Sequence, residues 1–140
     1  MEKQRRRSEA GITLIELLVV MVIIALFATI VGSRVGRSVG KAKTVAAKSQ
    51  ISEYESALDQ FKLEVGRYPS NEEGLQALRV RPANAPNWDG PYLKKEVQPD
   101  PWGKPYIYRF PGTHGDFDLV SLGADGQEGG DGENADIVNW

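Results

Sequence analysis

The pattern of apolar and polar positions divides the chain into three stretches. From Ile12 to Val31 there are 20 residues with a single charge, Glu16. A helix rises about 1.5 Å per residue, so this run covers about 30 Å, the hydrocarbon thickness of a bilayer. A soluble helix of that length needs a polar face, and the run from Leu17 to Phe27 leaves none. A secretory signal has an apolar region of only about 7–15 residues and closes on a small-x-small site, which is absent here. The run therefore predicts a membrane-spanning helix over 12–32. Further on, Ile51, Tyr54, Leu58, Phe61 and Val65 recur at spacings of 3, 4, 3 and 4, an amphipathic helical stripe. One helix from about Thr13 to Val65 accounts for both patterns, and Gly66 supplies the usual stop. The predicted organisation is a leader at 1–11, the span at 12–32, the soluble half of a stalk helix at 33–66 and a head at 67–140.

The head has shorter periods. Ser70-x-x-Glu73 is a capping box ahead of a short helix with Leu75 and Leu78. Residues 82–91 hold three prolines and read as an ordered loop pinned by Trp88, and a short strand is expected from Tyr92-Leu93. Asp100-Pro101-Trp102-Gly103 is turn chemistry. Tyr106, Ile107, Tyr108 and Phe110 predict one strand, and Phe117, Leu119, Val120 and Leu122 a second, joined by the loop 111–115. The fold class is α+β, a helix packed on a small antiparallel sheet.

Charge sharpens the division. Residues 1–48 carry nine Lys/Arg and three Asp/Glu, a balance of +6, whereas residues 49–140 carry eight and sixteen, a balance of −8. The whole chain, at −2, is no polyanion binder, and nucleic acid is not an expected partner. Basic residues flank the span on both sides (Lys3, Arg5, Arg6, Arg7; then Arg34, Arg37, Lys41), so counting them leaves its orientation open. With no Cys and one His, there is no disulfide framework, thiolate site or two-His metal motif. No nucleophile–base pair or phosphate loop is present either, and the reading is non-enzymatic.

Four features carry chemistry. Glu16 is a carboxylate inside an apolar span, read either as a functional group or as an interfacial side chain reaching the headgroups. A cation would stabilise it, and a free α-amino group is one, present at that depth only if the chain is cut before Ile12. Gly32, Gly36 and Gly40 fall on one helical face, as a packing face or a hinge. Residues 121–136 hold five Gly and the acids Asp125, Glu128, Asp131, Glu133 and Asp136, with no apolar side chain between Ala124 and Ala135. Such a loop is either solvated or ordered by a hard divalent cation; oxygen-only donors with Gly spacing suit Ca²⁺. On the stalk, Glu55 and Asp59 lie one turn apart, placed to pair with Lys94 and Lys95 of a neighbouring copy.

Gly11-Ile12-Thr13-Leu14-Ile15-Glu16, behind a basic leader, resembles the signal of type IV pilins and pseudopilins. The resemblance implies cleavage between Gly11 and Ile12 by a prepilin peptidase, N-methylation of Ile12, and Glu16 as the carboxylate that meets a neighbour's N-terminus in assembly. The family usually has Phe where Ile12 stands. It usually has a proline near Ser33 as well, whose softness the glycines would supply. Gly66-Arg67-Tyr68-Pro69, Asp100-Pro101-Trp102-Gly103, the string from Ser121 to Gly126 and Asp136-Ile137-Val138-Asn139-Trp140 are similar to the type II secretion major pseudopilins. That likeness implies a Ca²⁺ loop standing in for a missing last strand. Leu122 (backbone carbonyl) and Asp125 are its firmest ligands; Asp131 and Asp136 are favoured beyond them, with Glu128 in reserve. It also implies a helical homo-oligomeric filament in contact with membrane lipid, minor pseudopilins, and an inner-membrane assembly platform with its ATPase. The leader would be cytoplasmic and the head periplasmic. Competing readings are a type IV pilin or competence pseudopilin, and a monomeric anchored calcium-binding protein.

Overall fold

The computed structural model describes residues 11–140, with the side chains of 33–35 outside the described set. The leader residues 1–10 lie outside the described residues. One helix, α1 (Leu14–Val65), covers both predicted helical patterns. By contacts the chain forms two compact units, divided between Ser38 and Val39.

In the first unit the helix from Leu17 to Val31 is apolar on all sides, and its side chains are exposed among the described residues. Ile15, Leu17, Leu18, Ile24 and Phe27 are all exposed, Phe27 by 64%. Exposure on this scale costs hydrophobic free energy in water, so the surface suits a membrane or a bundle of like helices.

In the second unit the stripe works as its period requires. Ile51, Tyr54, Leu58 and Phe61 are buried, with Leu58 and Phe61 fully so, and Val65 packs at the edge. The Gly66 amide donates to the Lys62 carbonyl at 2.8 Å, and Gly66 takes φ of +87°, the left-handed stop. Against this face lie Tyr68, Leu75, Leu78, Leu93, Phe117 and Leu119. Fully burying such side chains stabilises the head by about 1.5–3 kcal/mol each, before the entropy of ordering them.

The capping box forms: the Ser70 amide donates to the Glu73 carboxylate (2.8 Å) and the Glu73 amide to Ser70 Oγ (3.3 Å). Glu73 is also held by a two-pronged ion pair from Arg67 (2.6 and 2.7 Å), which lowers its pKa. The helix it introduces is a single 3₁₀ segment, Gly74–Leu78. The loop 82–91 is pinned by Trp88, whose indole N–H donates to the Ala77 carbonyl at 2.8 Å.

The sheet has three antiparallel strands in chain order: β1 (Ile107–Arg109), β2 (Asp118–Ser121) and β3 (Ile137–Val138). Ile107 faces Val120, which faces Val138, while Leu119 and Ser121 point into the core. One expectation is corrected. Tyr92-Leu93 forms no strand; the Tyr92 amide donates to the Leu78 carbonyl and its hydroxyl to Glu64, so the segment is tied by single contacts instead of a ladder. The sheet closes on Ile137–Val138, which pairs with β2 although it is only two residues long.

Candidate functional site

Gly11 and Ile12 are exposed and precede the helix. Thr13 caps it: its Oγ1 accepts from the Glu16 amide at 3.3 Å, and its carbonyl accepts from the Leu17 amide at 3.2 Å. Thr13-x-x-Glu16 therefore has capping-box spacing, with Glu16 at the third helical position, where a carboxylate also complements the helix dipole. The sequence carried this signal, and it adds a local role to the residue expected to act in assembly.

Backbone hydrogen bonds cross the acidic loop. The Ala124 amide donates to the Glu133 carbonyl (2.8 Å), the Gly126 amide to the Leu122 carbonyl (3.2 Å) and the Asn134 amide to the Asp131 carbonyl (3.1 Å). The two limbs press together at Gly123, where φ is +63° and a Cβ would lie 2.7 Å from the Glu133 carbonyl oxygen. Only glycine meets both conditions. Lys104 reaches in from the preceding turn, its ammonium donating to the Gly123 carbonyl at 3.1 Å and to that of Ala124.

The candidate ligands separate into two sets. Leu122, Glu128 and Asp136 line one groove on the outer face of the sheet, together with Val120, Val138 and Trp140. Asp125 and Asp131 are exposed elsewhere in the loop, and Asp125 Oδ1 accepts from the Gln127 amide at 3.1 Å. Asp136 Oδ2 accepts from the Gly129 amide at 2.9 Å, whereas its Oδ1 is buried without a hydrogen-bond partner. A buried carboxylate oxygen left unpaired is costly, and a cation would satisfy it. The Leu122 carbonyl keeps a second lone pair beyond the Gly126 bond. Among the described residues no three acidic side chains converge as a ready cluster, so backbone oxygens or water would have to complete a metal shell. The donor set, all oxygen, fits Ca²⁺.

The remaining candidates are placed as follows. Lys94 and Lys95 are exposed, Glu55 half-buried and Asp59 exposed. Asp59 Oδ1 is already engaged, accepting from the Tyr68 hydroxyl at 2.8 Å. His114 stacks on Trp140 with ring centres 3.8 Å apart. Beside it lies a residue that pattern reading missed, Asp118, buried and receiving Thr113 N (2.8 Å), Thr113 Oγ1 (2.6 Å) and His114 N (3.1 Å). Burial works to raise its pKa, but these donors outweigh burial and hold the carboxyl well below the usual range.

A capped apolar helix that continues into a packed stalk, followed by a small antiparallel head, defines a pilin-like protein. Residues 6–32 match the prokaryotic N-terminal methylation motif, and residues 34–140 match the type II secretion system protein G family. The chain is 46% identical over 139 residues to the type II secretion system core protein G of Pseudomonas aeruginosa, covering 97% of this chain and 98% of the relative. It is 41% identical to that of Vibrio cholerae, covering 98% and 95%. It also resembles the crystal structure of the major pseudopilin from the type 2 secretion system of enterohaemorrhagic Escherichia coli, with a TM-score of 0.57 and 38% identity over 71% of this chain and 88% of that one. The chain belongs to the type II secretion system protein G family and is a pseudopilin.

Proposed function

We propose that the chain is cleaved between Gly11 and Ile12, methylated on Ile12, and polymerised into a periplasmic pseudopilus that drives folded proteins across the outer membrane. The observation that carries this reading is the methylation motif at 6–32, which takes in the capped start of a helix whose apolar side chains from Leu14 to Val31 are uncovered. Before assembly a single-pass segment in the inner membrane covers that surface, with the leader cytoplasmic and the head periplasmic. In the filament neighbouring helices cover it, with Glu16 meeting the methylated N-terminus of a neighbour. The prepilin peptidase, minor pseudopilins and an assembly platform with its ATPase are the partners this route requires. The chain's work is structural, with no reaction assigned to it.

The acidic loop is read as a Ca²⁺ site. Supporting this are its oxygen-only donors, its glycine spacing and the buried, unpartnered Oδ1 of Asp136. Leu122 and Asp136 would hold the ion, with Asp125, Glu128 or Asp131 supplying the rest. The ion would neutralise repulsion among the acids and cross-link the limbs of the loop.

The route is tested by intact mass and N-terminal sequence of membrane-extracted protein, with and without an active prepilin peptidase. The expected chain begins at Ile12 and carries one added methyl group. A chain that keeps residues 1–11 in the presence of active peptidase removes the route and leaves an anchored protein.

A further inference from the structure

We propose that Lys104 is the positioning residue of the acidic loop, a built-in cation that orders the turn Leu122–Gly126 without any metal ion. The inference does not rest on the calcium reading; it concerns what holds the loop when no ion is bound.

Asp100 is buried, and its Oδ1 accepts from the Trp102 amide (3.0 Å) and the Lys104 amide (2.8 Å). The Asp100 amide donates to the Lys104 carbonyl at 2.7 Å. The Lys104 backbone is thus fixed on both its donor and acceptor sides by one residue. Asp100 Oδ2 accepts from the fully buried Ser121 hydroxyl at 2.6 Å, and Ser121 Oγ accepts from the Gly123 amide at 3.4 Å. The same carboxylate therefore anchors the turn that launches Lys104 and the root of the loop that receives it.

The ammonium then donates to the Gly123 and Ala124 carbonyls. Its stem lies along Gly126, where a Cβ would come within 2.9 Å of Lys104 Cε. Two of three ammonium donors are spent on backbone oxygens of one turn, and a charged donor to a carbonyl is stronger than a neutral one. A lysine that merely shielded apolar surface would keep its head in water. The loop also holds five acids and no base, so a fixed positive charge at its entry offsets their repulsion.

The far half has no charged clamp: the Ala124 amide bonds the Glu133 carbonyl, Gly129 leans on Asp136, whose other oxygen has no hydrogen-bond partner, and Asn134 on the Asp131 carbonyl. The loop is therefore built in two parts: an entry turn held by Lys104, and an exit limb held by neutral donors, with no fixed positive charge among its acids.

The test is amide hydrogen exchange on the full-length protein in detergent with EDTA present, comparing wild type, Lys104→Met, Lys104→Gln and Lys104→Arg. In wild type, 122–126 is expected to stay protected while 127–134 exchanges faster. In Lys104→Met and Lys104→Gln, exchange of 122–126 should rise about tenfold or more, with Leu119–Ser121 unchanged, and Lys104→Arg should restore most of the protection. Unchanged exchange at 122–126 in both neutral variants would overturn the proposal. Equal acceleration of 122–126 and β2 would too, since Lys104 would then only stabilise the head at large. Wild-type protein whose two halves exchange alike in EDTA would overturn it as well.

Discussion

Asp136 concentrates the loop's chemistry in one side chain. Oδ2 is matched by the Gly129 amide, while Oδ1 is buried and unmatched. On the calcium reading the unmatched oxygen is a ligand, so Asp136→Asn removes a charge and an anionic donor from the shell while keeping an acceptor for Gly129. A ligand at a hundred times its Kd stabilises a fold by about 2.7 kcal/mol, and a tenfold weaker site loses about 1.4 kcal/mol of that. The expected outcome is a wild-type melting temperature that rises by several degrees from EDTA to millimolar Ca²⁺, and an Asp136→Asn rise at least halved. In EDTA the two proteins should melt within a degree or two of one another. Differential scanning calorimetry in both buffers measures this, and a full calcium response in Asp136→Asn would remove the residue from the site.

At the scale of elements, Gly32, Gly36 and Gly40 share a face by spacing but not by surroundings. No other part of the described chain lies within 4 Å of a Cβ built at Gly32 or Gly36, whereas one at Gly40 would collide with the Glu133 carboxylate. Gly40 is buried, and on the structure it is a seat for the acidic loop; a row read as one device contains two kinds of position. Gly40→Val should therefore leave the head's melting temperature at or slightly below wild type, because the Glu133 side chain must swing aside and cancels a helix-propensity gain of a few tenths of a kcal/mol. Gly36→Val, as the control, should leave it unchanged or slightly raised, both read by thermal circular dichroism. The contrast bears on what was legible. The stalk stripe was readable because each residue of a helix face repeats the same instruction, and β1 and β2 because their apolar positions alternate. Tyr92-Leu93 looked like a strand because local pattern cannot reveal that the Tyr92 hydroxyl is claimed by Glu64 at 2.6 Å. Ile137–Val138 was too short to carry any period. Asp100, Lys104 and Asp118 act through side-chain bonds to backbone, which leave no mark on the hydrophobic pattern.

On the whole molecule, the charge gradient and the two contact units divide the chain in similar ways. In the first unit the residues from Ile12 to Val31 expose their apolar side chains and need an external partner, whether lipid or like helices. Residues from Val39 onward bury Ala47, Ile51, Leu58, Phe61, Leu78 and Leu119 among themselves. They hold eleven Lys/Arg against sixteen Asp/Glu, a balance of −5 that favours solubility and disfavours self-association. The part that needs the membrane or the filament is therefore not the part that holds the head together. A fragment of residues 39–140 should fold in water without detergent, remain monomeric at tens of micromolar, and unfold in one cooperative transition. Its calcium response should match that of the full chain, because every candidate ligand lies between Leu122 and Asp136. Analytical ultracentrifugation and calorimetry decide the matter. A fragment that aggregates, or melts without a cooperative transition, would mean that the apolar segment contributes to the head's stability, and polymer assembly could then not be treated as a property added to a finished domain.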